Sequence, residues 1–122
     1  MNTGRTMKAI LINPFNQTIT EVEYSGNFKE IYKLIDCSTF DCINIDDDNT
    51  LFVDDEGLLK ENRYFYWKGY TNLAGKALII GVDYQTGEDC ETSWSLQEVE
   101  NMVEWLSEGH KEEPMMEFIT WN

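Results

Sequence analysis

Apolar residues fall in short runs separated by polar turns along most of the chain. Lys8-Ala-Ile-Leu-Ile-Asn13 is continuous rather than alternating, which predicts a central strand. Asn13-Pro14 and Asn16 mark a turn, and the β-branched stretch Thr18–Tyr24 predicts the returning strand of a hairpin. Asn27-Phe-Lys-Glu30 has the form of a capping box, with Asn27 at the N-cap. Phe28, Ile31, Leu34 and Ile35 then follow helical spacing and predict one buried face, with Tyr32 beside it and the helix ending near Asp36 or Cys37.

Phe40–Ile45 and Thr50–Val53 predict two paired strands around the turn Asp46–Asn49, with Phe40, Cys42 and Asn44 on one side. Asp54-Asp-Glu-Gly57 closes the second strand, and Leu58-Leu59 would dock on the core. Tyr64, Phe65, Tyr66, Trp67 and Tyr70 crowd into seven positions; alternation separates Tyr64 and Tyr66 from Phe65 and Trp67. Lys76–Asp83 is the clearest buried strand, followed by a turn at Tyr84–Gly87 and a short strand within Glu88–Thr92. Ser95-Leu-Gln-Glu98 is a second capping box, with Trp94 placed to staple onto Val99. Leu96, Val99, Met102, Val103 and Leu106 predict a helical stripe, with Trp105 beside it and Gly109 as the C-cap.

These elements predict an α+β fold: a mixed, mainly antiparallel sheet with two helices packed on it. Residues 1–6 read as a flexible extension, with Met7 beginning the folded part. Residues 7–109 read as one domain, and 110–122 as an acidic tail or an added edge strand through Met116, Phe118 and Trp121. The start lacks a signal-peptide core, and no run approaches the roughly 20 apolar residues of a membrane span. Cys37, Cys42 and Cys90 form an odd set without a CxxC pair. They are expected to be reduced and buried, which points to the cytoplasm.

Charge changes the picture. The chain has 122 residues, 23 acidic and 9 Lys/Arg side chains, and net charge −14. Residues 1–76 carry 12 acidic and 8 basic groups, net −4; residues 77–122 carry 11 and 1, net −10. This argues against direct nucleic-acid binding, which needs Lys and Arg to displace counterions. Stacking of single strands on Tyr64, Tyr66 and Trp67 is opposed by the same imbalance. A face built from Asp89, Glu91, Glu98, Glu104, Glu108, Glu112, Glu113 and Glu117 would instead attract a basic protein.

Catalytic organisation is harder to find. An EF-hand starting at Asp46 or Asp48 fails at its required Gly, where Leu51 or Val53 stands. No His sits at a catalytic spacing from a Cys, and His110 stands alone in an acidic stretch. Gly69–Gly75 lacks the Lys-Ser/Thr ending of a P-loop. Hydrolysis by Asp54 and Glu56, with a metal, is the last-ranked alternative. No resident metal or cofactor is expected. An aromatic interface or pocket around Tyr64, Tyr66, Trp67 and Tyr70 gives a second class, a ligand-sequestering oligomer, and allows a homodimer.

Five segments carry a resemblance: Lys8–Asn13, Ile31–Ile35, Val53–Leu58, Leu73–Gly81 and Ser95–Val99. Together they resemble an uncharacterised small domain that recurs in bacteriophage and mobile-element proteins, over roughly residues 7–106. The resemblance supplies no catalytic residues. It implies an accessory or anti-defence setting, by analogy with acidic phage proteins that occupy DNA-binding sites of restriction or CRISPR complexes. The expected function is a non-enzymatic acidic interaction protein whose partner is a basic host protein or a nucleic-acid-processing complex.

Overall fold

The computed structural model describes residues 6–56 and 63–106. Eleven elements follow one another: β1 (Met7–Asn13), β2 (Thr18–Tyr24), α1 (Lys29–Leu34), β3 (Phe40–Asp46), β4 (Asn49–Asp54), β5 (Tyr64–Trp67), β6 (Thr71–Ala74), β7 (Ala77–Val82), β8 (Asp89–Cys90), α2 (Leu96–Met102) and β9 (Val103–Trp105). They form an α+β fold with two helices packed on a largely antiparallel framework, as the hydrophobic pattern predicts.

The framework divides into two sheets. The first runs β2-β1-β7-β4-β3, with β8 added beside β7. Its centre is β7, whose Ala77, Leu78, Ile79 and Ile80 are buried between β1 and β4. A continuous apolar strand suits this place because both its faces are covered. The second sheet, β6-β5-β9, holds the aromatic segment at its middle.

Two hydrophobic clusters lie on opposite faces of the first sheet. Ala9, Tyr24, Leu78 and Ile80 pack with Ile31 and Ile35 of the α1 region. Ile10, Ile12, Leu51 and Ile79 pack with Phe65 and Trp67 of the second sheet and with Val99 of α2. The order is therefore helix, sheet, then a mixed layer of the small sheet and the second helix.

Four expectations are corrected. Asn27 and Glu30 do not form a capping box. The Asn27 side chain accepts from Lys29 N at 3.0 Å, while Glu30 reaches back to Ser25 N and Oγ at 3.0 and 2.8 Å. Phe28 precedes the first helical residue, so it projects outward, 54% exposed, instead of joining the buried face. The second helix stops at Met102; Val103–Trp105 turns extended and pairs with β5, Phe65 opposite Trp105 and Trp67 opposite Val103. The cysteines are free but not buried: Cys42 is exposed, and Cys37 and Cys90 are half-buried.

The first helix ends with Asp36 at φ 56° and Cys37 N donating to Tyr32 O at 3.0 Å, a Schellman-type close. The expectations for Leu58-Leu59, Glu108, Gly109, His110, Glu112, Glu113, Glu117 and the tail lie outside the described residues, as does the extension before Thr6. No described helix is long and apolar enough to cross a membrane.

Candidate functional site: an acidic rim above a polar knot

The β3–β4 turn begins with Asp46, whose Oδ1 accepts from Asp48 N at 2.8 Å. This is the local bond that makes Asp a turn former. Asn49, the first residue of β4, is fully buried. Its Nδ2 donates to Asp46 Oδ1 at 3.0 Å and to Ser93 Oγ at 2.9 Å. Its Oδ1 accepts from Thr92 Oγ1 at 2.6 Å and from Ser93 N at 3.3 Å. Trp94 Nε1 completes the knot by donating to Asp46 Oδ2. Burial opposes ionisation of Asp46, but its hydrogen bonds from Trp94, Asn49 and Asp48 outweigh that and hold the carboxyl below its usual range.

The knot fixes two acidic turns side by side. Val82 N donates to Asp48 O at 2.8 Å, joining the end of β7 to the β3–β4 turn. The β7–β8 turn is closed by Asp83, which accepts from Gly87 N at 2.6 Å and, through Oδ1, from Gln85 N at 2.9 Å. Asp48, Asp83, Tyr84 and Glu91 line a shallow cavity of about 420 Å³ with Cys90. Burial, then the charges of Asp83, Asp48, Asp89 and Glu91, push the Cys90 thiol up. Tyr84 stands 71% exposed among them, and no Lys or Arg lines the cavity.

The residues expected to form one acidic face are distributed over several elements. Asp89 and Glu91 come together on and just after β8. Asp89 accepts from the Tyr24 hydroxyl at 3.1 Å, and Glu91 from Lys8 N at 3.2 Å. Burial and Asp89 push the Tyr24 hydroxyl well above its usual range, so it stays a donor. Glu98 accepts from Ser95 N at 2.9 Å, completing the predicted capping box. Glu104 lies on β9 opposite Tyr66. The charge contributed by Asp47, Asp48 and Asp83 was missed as part of this face. Their turns are far apart in sequence, and the β4–β7 pairing with the Val82–Asp48 bond joins them.

The aromatic residues also separate. Trp67 is buried against Trp94, with ring centroids 5.5 Å apart. Tyr64 is buried and Tyr66 half-buried on the opposite face of β5, as alternation predicts. Tyr70 is 57% exposed. Trp67 and Tyr70 do line a common cavity of about 230 Å³ with Ile43, Ile45 and Met102. That is below the roughly 300 Å³ at which small-molecule sites usually begin. Among the described residues, no group of three or more His, Cys, Asp or Glu side chains is arranged to hold a metal ion.

No curated protein and no solved structure matches the chain. A family profile described as domain of unknown function (DUF3846) matches residues 7–104, from the first residue of β1 into β9. The match spans both sheets and both helices, so the chain belongs to the DUF3846 family.

Proposed function

We propose that the protein is a non-enzymatic interaction module that presents its acidic turns to a basic surface on a partner protein. The observation that carries this reading is the Val82–Asp48 hydrogen bond. It sets the β3–β4 and β7–β8 turns together, so that Asp48, Asp83 and Glu91 line one cavity beside the half-buried Cys90 thiol. Like charges held close repel one another, and a cationic surface relieves that repulsion on docking. A rigid base matters here, because side chains already held in place lose less freedom on binding. Exposed Tyr84 adds the kind of aromatic contact that anchors interfaces.

A nucleic-acid-processing protein is the partner class with such a surface, and occupying its groove would exclude nucleic acid. An accessory or anti-defence role follows if that protein belongs to a host defence complex. The free thiols support a reducing compartment, the cytoplasm. The test is retention, from lysate of the cells that encode the chain, of a nucleic-acid-binding protein that duplex DNA displaces. Asp47→Asn, Asp48→Asn and Asp83→Asn together should abolish retention without changing thermal stability. Unchanged retention by that variant would refute the acidic rim as the docking face.

A further inference from the structure

The strand β3 ends the first sheet, and among the described residues no strand pairs with its outer side. Its backbone groups on that side are therefore available to another extended segment. A bulge between Asn44 and Asp46 breaks the regular register, leaving Phe40–Asn44 as the regular stretch. Ile43 faces the second sheet there. Two cavities lie over this face of β3, one of about 330 Å³ that includes Asp41, Val53 and Leu73, the other of about 230 Å³ that includes Trp67 and Met102. Both are lined by Ile43 and Tyr70, so they adjoin as two bays of one groove.

The groove has a charge pattern. Asp41 and Asp55 line the first bay together. The charge on Asp41 is the main reason the Asp55 carboxyl is pushed up. Lys68 lines the second bay. A Lys or Arg delivered to the first bay would relieve the repulsion between the two carboxylates through charge-assisted hydrogen bonds. The floor between, Ile43 with Leu73 and Met102, suits apolar side chains.

We propose that this groove binds an extended segment of a partner protein by strand addition to β3, with alternate apolar residues over Ile43 and a Lys or Arg over Asp41 and Asp55. Strand addition takes affinity from main-chain hydrogen bonds and selectivity from alternate side chains. Charge argues against two other occupants. A second copy brings a further net charge of −14, and residues 112–122 bring Glu112, Glu113 and Glu117 toward the acidic bay. The groove does not include Asp47, Asp48 or Asp83, so it stands independently of the turn rim.

The test uses the full chain and three synthetic fluorescent peptides: Arg-Thr-Val-Thr-Val-Thr, the same peptide with Glu in place of Arg, and the Arg peptide methylated on alternate backbone nitrogens. Anisotropy should show the Arg peptide binding about tenfold or more tighter than the Glu peptide, and the methylated peptide not binding. Asp41→Asn with Asp55→Asn should erase the Arg preference while leaving the fold, read by circular dichroism, unchanged. Amide exchange should slow along Phe40–Asn44 when the Arg peptide is added. Equal binding of the methylated peptide, equal binding of the Arg and Glu peptides, or no binding of any would overturn the proposal. So would protection of the β3 amides in the free chain, constant with concentration if the tail fills the groove and rising with it if a second copy does. The triple variant of Asp47, Asp48 and Asp83 should bind the Arg peptide normally, which separates this result from failure of the turn rim.

Discussion

The Trp94 indole donates from Nε1 to Asp46 Oδ2 at 2.8 Å, across 48 positions of sequence, and ties the approach to α2 to the β3–β4 turn. Beneath that bond Asn49 uses both its amide nitrogen and its carbonyl oxygen. Buried polar groups that lose a partner are expensive, because water cannot replace it. Asn49→Ala removes the shared centre and leaves the Thr92 hydroxyl and Ser93 amide without their acceptor. The expected loss is about 2–3 kcal/mol of unfolding free energy, measured by urea denaturation. A loss under about 0.5 kcal/mol would show that the knot is not a structural centre.

Local signals in the sequence translate well into this fold. Ser95 and Glu98 form their capping box because every participant lies within one turn of helix. The β7 run is apolar throughout, and a strand of that composition has a place only between two neighbours. The end of α2 was illegible for the opposite reason. Leu96, Val99, Met102, Val103 and Leu106 fit helical spacing. The competing interaction, pairing of Val103–Trp105 with β5, lies about 38 positions away and reveals itself only when the second sheet forms. Val103 is β-branched and Trp105 aromatic, which favours the extended state once a partner strand is present. The candidate face shares this non-local origin. Its carboxylates were visible in composition, but their grouping depends on which turns the sheet topology places together.

Acid should loosen the knot from the Asp46 side. The Asp46 carboxyl is held below its ordinary value by its donors. A depressed carboxyl contributes stability that is complete above its unfolded value, about 3.9, and is lost as pH falls through the lower folded value. Glu30, held down by Ser25, adds in the same direction at the start of α1. Tryptophan fluorescence should therefore stay constant from about pH 7 to pH 5 and change below about pH 4. Asp46→Asn should remove much of the low-pH dependence while lowering stability at neutral pH. A wild-type transition centred above pH 5 would assign the acid sensitivity to another group.

Gly81 should tolerate no side chain. A Cβ there would overlap the backbone carbonyl of Glu91, the segment that β8 leads into. Gly87 contrasts with it: the surrounding space is open, but its φ of 79° disfavours other residues. Gly81→Ala should cost about 2–3 kcal/mol by forcing β8 away from β7. Gly87→Ala should cost about 1–2 kcal/mol through local strain alone. Only Gly81→Ala should also speed amide exchange at Cys90 and Thr92. Equal exchange in the two variants would mean that β8 is not held by close packing on Gly81.

Thiol chemistry can report on the acidic rim without any knowledge of the partner. Burial and then Asp41 push the Cys42 thiol up; burial and then four carboxylates do the same for Cys90. Thiolate is the reactive form, so both should alkylate more slowly at pH 8 than a free cysteine, whose pKa is about 8.5. Iodoacetamide is neutral and is not itself repelled by the rim. Raising salt to about 0.5 M should speed labelling at Cys90, because several of its raising charges are screened, and should change Cys42 less. Asp83→Asn with Glu91→Gln should reproduce the salt effect at low ionic strength. Labelling is read for each cysteine by mass spectrometry of its peptide, which keeps Cys37 separate. If salt and the double substitution both leave Cys90 unchanged, burial alone controls the thiol, and the carboxylates around it do not act as the concentrated negative field on which docking to a basic surface depends.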